Sequence, residues 1–196
     1  MRRTMKLLTF TFQCMGGLVF MFTINSMVLA ADLSMMASIA KKGVGCEITL
    51  PQNVLTFAPL SMRQLKGPIQ AHQIKSLIVR LSCVNETELI KPMLTLRGIT
   101  PYAEDLHQTV FLDDTPNGVG FMVRQSPDDK PIGLLDFYQP DAAIGNDNTV
   151  QPLNVLNNDN QYKSDNVLWV GIVGPLQSNI IAGRFHASLT INVAFQ

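Results

Sequence analysis

The chain has 196 residues, of which 46% are hydrophobic, and its 15 basic residues balance 15 acidic ones. This balance excludes the strongly basic surface that is typical of proteins that bind nucleic acids. The length is enough to build a packed core and too short for several domains.

The first thirty residues have the pattern of a signal peptide. Three basic residues lie within the first six positions, and an almost continuous apolar run extends from Leu7 to Val28. Val28 and Ala30 match the small-residue pattern of a cleavage site, which predicts removal of residues 1–30 and export of the remainder. The alternative is a retained transmembrane anchor, although Gln13 and Asn25 interrupt the apolar run.

Cleavage after Ala30 changes the charge and the cysteine content of the chain. It removes three basic residues and no acidic one, which leaves 12 basic against 15 acidic residues and a net charge of −3. Cys46 and Cys83 are the cysteines that remain, and in an oxidising compartment such an even pair favours a disulfide. A reactive or metal-binding pair is the alternative, but no CxxC spacing supports it.

The segment 31–45, before the first of these cysteines, alternates between apolar and polar residues. Its apolar positions are Leu33, Met35, Ala37 and Ile39. Alternation with a period of two is typical of a strand with one buried face. We therefore expect this extension to pair with a partner strand.

Residues 46–196 are predicted to form a single all-β domain. Cys46 to Leu50 and Leu77 to Cys83 alternate so that both cysteines point to the buried face of their strands. The further candidate strands are Met93 to Arg97, Gly118 to Arg124, Ile132 to Leu135 and Val167 to Val173. About seven strands separated by turn residues predict a β-sandwich.

Two features near the end of the domain allow more than one interpretation. The segment Gly145 to Asn166 is rich in Asn and Asp, which predicts mostly loop, because its spacing does not match a calcium-binding loop. Trp169 is flanked by apolar strand residues, which favours a core position over a platform for stacking a sugar ring.

The last strand has the most regular pattern in the sequence. Six apolar residues alternate with Arg184, His186 and the residues that follow them. These apolar residues are Phe185, Ala187, Leu189, Ile191, Val193 and Phe195. Periodicity alone is consistent with an ordinary edge or central strand of a closed sandwich.

Together these features resemble the subunits of type 1 and P-like fimbriae, which assemble by the chaperone–usher pathway. The resemblance rests on the exported leader, the alternating extension ending at Cys46, and a second cysteine in a strand at Ile78 to Val84. It also rests on a Gly-Val-Gly-Phe segment at 118–121, on Gly183 fourteenth from the C-terminus, and on the penultimate Phe195.

The resemblance implies an Ig-like sandwich that lacks its final strand and is completed by a donor strand from a neighbouring subunit. Leu33, Met35, Ala37 and Ile39 would be the donor side chains. The edge that faces the chaperone or lines the groove would comprise Gly183, Leu189, Ile191, Val193 and Phe195. Cys46 and Cys83 would form the family's disulfide.

One position departs from the family. Many of these subunits have a glycine seven residues before the first cysteine, where this chain has Ile39. Either the donor register is shifted, with Ala37 as the small residue, or the partner's pocket differs.

The implied partners are a periplasmic fimbrial chaperone, an outer-membrane usher and neighbouring fimbrial subunits, and the implied location is a fimbria on the cell surface.

We expect no catalytic residue, metal or cofactor, because His72, His107 and His186 are scattered and no nucleophile motif is present. The alternative functions are a single-domain fimbrial adhesin and another secreted β-sandwich binding module.

Overall fold

The structure is a computed structural model that describes residues 28–41, 45–147 and 150–196. Residues 1–27, which hold most of the predicted signal peptide, lie outside the described part. Among the described residues, none belongs to a helix with the length and apolar character needed to cross a bilayer.

The described part of the chain is built almost entirely from strands. The strands are β1 (Val28–Lys41), β2 (Cys46–Thr49), β3 (Val54–Ser61), β4 (Gln70–Cys83), β5 (Pro92–Arg97), β6 (Val110–Phe111), β7 (Gly120–Gln125), β8 (Gln151–Pro152), β9 (Lys163–Gly174) and β10 (Arg184–Phe195). One short helix, α1 (Leu134–Phe137), and a 3-10 turn at Pro140–Ala142 lie between β7 and β8.

The strands form two five-stranded sheets. The first sheet has the order β3-β1-β10-β5-β8, and the second has the order β2-β4-β9-β7-β6. Strands β1 and β10 are parallel, whereas the other paired strands are antiparallel. The predicted all-β sandwich is therefore confirmed.

Alternating side chains from both sheets fill the space between them. Phe121 lies at the centre, with its ring centroid 5.6 Å from that of Phe57 and 5.3 Å from that of Phe185. These rings come from β7, β3 and β10, so they join the two sheets. Tilted rings at such distances stabilise a core beyond the area that they bury.

The predicted disulfide joins Cys46 to Cys83 with an S–S distance of 2.02 Å. The two residues lie directly opposite each other on the antiparallel pair β2 and β4. The bridge therefore connects neighbouring strands of the second sheet, and its Cα–Cα distance is 4.0 Å.

A second, smaller apolar cluster lies on the outer face of the second sheet. Phe137 of α1 is fully buried and covers Gly171 of β9, where an added Cβ would lie 2.5 Å from the Phe137 ring. The Arg124 guanidinium holds this cover by donating hydrogen bonds to the carbonyl oxygens of Asp136 (2.6 Å) and Phe137 (3.0 Å). Part of the outer face of the second sheet is therefore buried.

The prediction of a strand at Ile132 to Leu135 was wrong. Residues 134 and 135 belong to α1, and both side chains are largely exposed. The apolar residues of this segment alternate too briefly to define a strand, and its buried anchor is Phe137, just beyond the predicted range.

The prediction for the Asn-rich segment was correct only in part. Strand β9 begins at Lys163, inside the predicted loop, and Leu153 and Leu156 are buried anchors. Asn157 and Asn160 bond to each other reciprocally, each side-chain oxygen accepting from the other's backbone N–H at 3.0 and 3.2 Å. The polar side chains therefore organise the turn internally.

Candidate functional site: the groove between β3 and β10

Residues 31–41 of the predicted extension belong to strand β1, which begins at Val28 and lies between β3 and β10 in the first sheet. Leu33 is opposite Ala187 on the parallel side and opposite Leu55 on the antiparallel side. The register with β10 is regular from Ala30 to Ile39. The resemblance implied a sandwich that lacks one strand. In this structure, β1 of the same chain fills the place between β3 and β10.

The inward face of β1 carries the residues that the alternation indicated. Leu33 and Met35 are buried at 0% and 3% exposure, and Ala37 is partly buried against the core. The backbone of Ile39 is opposite Val193, while its side chain lies outside the described part. Ala31 is also buried, and continuing the same alternation by one step would have identified it.

The outward face of β1 is polar or exposed. Met36 is 68% exposed, and the Ser34 hydroxyl donates a hydrogen bond to Ser188 Oγ at 3.1 Å. Strand β1 is therefore amphipathic, with Ala31, Leu33 and Met35 against the core.

The C-terminal strand β10 forms the opposite wall of the groove. Leu189, Ile191 and Val193 are buried, Phe195 packs against the core in a partly buried position, and Gly183 precedes the strand in open space. Because β10 pairs with β1 on one side and with β5 on the other, it is a central strand here. Without β1 it would be an edge strand.

Polar contacts outside the groove hold β10 in position. His186 Nδ1 lies 2.8 Å from the Asp114 carboxylate, and His186 Nε2 lies 3.9 Å from Asp113. The His186 backbone also exchanges bonds with these two residues, donating to Asp114 and accepting from the N–H of Asp113. His186 thus has a structural role at the surface.

The far edge of β3 is protected by side chains from the second sheet. The Gln73 amide donates to the carbonyl oxygen of Ala58 and accepts from its N–H, at 2.7 and 2.9 Å. Lys75 Nζ donates to the carbonyl oxygen of Thr56. Backbone groups that already have hydrogen-bond partners do not readily pair with another strand. Strand β3 is therefore available for pairing mainly on the side where β1 lies.

The three histidines do not come together. His107 contacts Asp141 at 3.1 Å, and His72 lies 3.1 Å from the Gly174 carbonyl oxygen. Within residues 28–41, 45–147 and 150–196, no group of three or more His, Cys, Asp or Glu side chains is arranged to hold a metal ion. The candidate site in the described part is the groove between β3 and β10 that β1 occupies.

The comparisons with known proteins add no assignment: no family model matches the chain, and no curated protein is significantly similar to it.

Proposed function

We propose that this chain is a structural or adaptor subunit of a bacterial surface fimbria, and that subunits join by exchanging strand β1. The observation that carries the proposal is the position of β1. An amphipathic segment directly after the predicted cleavage site fills a groove between two strands that come later in the chain.

The energetics of the groove support exchange. Burying Leu33 and Met35 contributes roughly 1.5 to 3 kcal/mol each, before the cost of ordering the segment. If the groove were empty, the apolar side chains that line it would be exposed, together with unpaired backbone groups of β3 and β10. The groove therefore requires a strand, and the backbone ladder accepts one from any source.

The connection to the domain also supports exchange. Only residues 42–45 separate β1 from β2, which the disulfide fixes in the second sheet. If the segment leaves its own groove, it remains attached at Cys46 and extends outward from a fixed point. The identical groove of a second copy then offers the same pockets.

The proposed route includes a periplasmic chaperone that occupies the groove first, an outer-membrane usher, and the neighbouring subunits. A single-domain adhesin or secreted binding module is the second candidate. One observation favours it: β1 completes its own sheet, and such a closed molecule is a self-sufficient monomer.

The decisive experiment separates the groove from its strand. The chain from Cys46 to Gln196 is expressed in a periplasm with a fimbrial chaperone, and the complex is mixed with a synthetic peptide of residues 31–45. We expect the peptide to displace the chaperone and form a stable one-to-one complex on size exclusion.

Two variant peptides give the matched controls. Leu33→Asp places a charge at a fully buried position and should abolish incorporation, whereas Met36→Asp changes an exposed position of the same strand and should be neutral. Incorporation of all three peptides alike, or of none, would refute strand exchange. A full-length chain that stays monomeric and does not take up added peptide would support the secreted binding module.

A further inference from the structure

Strands β1 and β2 are joined by a very short piece of chain at one end of the sandwich. Strand β1 ends at Lys41, and in its pairing with β10 this residue lies opposite Ala194, near the end of β10. Strand β2 begins at Cys46. Residues 42–45 are called the connector below, and the end of the sandwich at which it lies is called the connector end.

The chain reverses its direction at the connector end, because β1 ends there and β2 begins there. The two strands belong to different sheets, and packed sheets lie about 10 Å apart. The five Cα–Cα steps from Lys41 to Cys46 span at most about 17 Å when they are extended. Gly45 has a φ of 98°, and its carbonyl oxygen accepts a hydrogen bond from the Val84 N–H at 3.0 Å. The reversal that keeps β1 in its own groove is therefore short and fixed at one side.

The register of β1 determines how it could reach the groove of a second copy. In the register seen here, Lys41 of the incoming strand lies at the connector end of the receiving copy. Cys46 of the incoming chain stays at the connector end of its own domain, where the disulfide to Cys83 holds it. The two connector ends must therefore face each other, within the roughly 17 Å that an extended connector can span.

This arrangement closes on itself. When the two connector ends face each other, β1 of the receiving copy is equally placed to enter the groove of the first copy, so a two-fold axis relates the two exchanges. Both grooves are then filled, and neither accepts a third copy. A head-to-tail fibre would instead need β1 to enter the next groove from its other end.

We propose that two copies of this chain form a closed dimer by exchanging β1 reciprocally in the register seen here. The dimer keeps the pairing of β1 with β10 and with β3, and it replaces the reversal at the connector by an extended crossing. A short connection favours such an exchange, because the monomer has to maintain the reversal. The inference rests on the exchange of β1 in the proposed function, and it adds that exchange in this register stops at two copies.

A pair of cysteines across β1 and β10 tests both the exchange and its register. Met36 lies opposite Thr190, and both positions are on the outward face of the first sheet. Chains that begin at Ala31 and carry either Met36→Cys or Thr190→Cys are co-expressed in a periplasm without a fimbrial chaperone, and one of them carries a tag. We expect a disulfide between the tagged and the untagged chain on a non-reducing gel, because directly opposed residues of paired strands are close enough to be bridged.

The control moves the second cysteine along the same strand. Arg184 is on the outward face of β10 like Thr190, but it lies six positions away, which is about 20 Å along a strand. Arg184→Cys should therefore not link to Met36→Cys. Equal linking at the two positions of β10 would show that the contact does not have the proposed register.

The length of the connector tests the reversal itself. Deletion of Gly43 and Val44 leaves three Cα–Cα steps between Lys41 and Cys46, about 10 Å, which leaves no slack for a reversal between the sheets. Light scattering after size exclusion should show this variant as a dimer. Insertion of a Gly-Ser-Gly-Ser segment after Gly43 lengthens the connector and should give a monomer at the same concentration.

The outcomes separate the closed dimer from the proposed function. Species larger than two copies in the deletion variant would show that exchange does not close, which would overturn the dimer. If the peptide of residues 31–45 enters the groove of the chain from Cys46 to Gln196 but Met36→Cys and Thr190→Cys do not link, only the dimer is wrong. If neither the peptide enters nor the link forms, strand exchange itself is wrong.

Discussion

At the scale of single residues, Gly171 determines how closely the cover of the outer face can approach the sheet. An added Cβ there would lie 2.5 Å from one Phe137 ring carbon and 2.9 Å from two others. Phe137 is itself fully buried and held through carbonyl bonds to Arg124, so the ring has little room to move. The absence of a side chain at position 171 therefore permits the second apolar cluster to form.

We predict that Gly171→Ala destabilises the domain by roughly 1 to 3 kcal/mol, the usual cost of overpacking a closed site. The measurement is the midpoint of urea unfolding. Gly133→Ala is the control. The nearest atom to a Cβ added at Gly133 is an oxygen of the Asp136 carboxylate at 3.3 Å, and the end of that side chain can move. If Gly171→Ala were as stable as Gly133→Ala, the Phe137 ring could move away from position 171 without a loss of stability.

The sequence predicted residues of the inner core better than residues of the outer face. Leu33, Met35 and Cys83 follow from alternation, because one face of each strand is buried between the sheets. Trp169 and Gly171 belong to the opposite face of β9, and the nearly continuous apolar run from Val167 to Val173 does not distinguish the two faces. The cover that buries this face comes from an irregular segment, so no local period reveals it.

At the scale of elements, β1 contributes a row of core side chains to the first sheet. Ala31, Leu33 and Met35 on its inward face are buried and Ala37 is partly buried, whereas Ser34 and Met36 on its outward face are exposed. The strand also satisfies backbone groups of both of its neighbours.

We predict that Leu33→Ala destabilises the full-length chain by roughly 2 to 5 kcal/mol, because a fully buried leucine leaves a cavity when it is truncated. Met36→Ala, on the exposed face, should change the stability by less than about 0.5 kcal/mol. Thermal or urea unfolding of the two variants provides the comparison. Equal stabilities would indicate that β1 spends much of its time outside the groove.

Element boundaries were predicted unevenly. Strand β10 was predicted at Arg184 to Phe195 because its alternation is unbroken. Strand β9 begins four residues before the predicted start, because Lys163, Ser164, Asp165 and Asn166 are polar and resemble the preceding loop. Asn166 is nevertheless fully buried, where its side-chain oxygen accepts from the Asn154 N–H at 2.7 Å. A buried polar residue with partners cannot be distinguished by sequence from a solvated one.

At the scale of the whole molecule, the disulfide restricts the unfolded chain between β2 and β4. Its two cysteines are 37 residues apart. Closing a loop of that length contributes about 4 kcal/mol in the chain-entropy account. This is a substantial fraction of the net stability of a typical domain.

We therefore predict that the double variant Cys46→Ala, Cys83→Ala loses about 4 kcal/mol of unfolding free energy relative to the oxidised parent. Urea unfolding with and without a reductant provides the measurement. The reductant should destabilise the parent and leave the double variant unchanged. A parent that is insensitive to reduction would show that strand pairing alone fixes β2.

The arrangement of strands in the first sheet was the least predictable feature. The sequence identified both β1 and β10 as amphipathic strands, and the resemblance assigned them to different molecules. In the structure they pair within one chain. Local patterns specify which face of a strand is buried but not which molecule supplies the partner.

The parallel pair β1–β10 joins residues that are far apart in the chain, with Ser34 bonded to Ser188 across 154 positions. If the chain crosses a membrane from its N-terminal side, β1 emerges first and β10 emerges last. Strand β1 can meet β3 early, but its second edge stays unpaired until nearly the whole chain has arrived. Under that condition, this edge of β1 stays accessible to a competing strand until β10 arrives, and the first sheet can be completed only then.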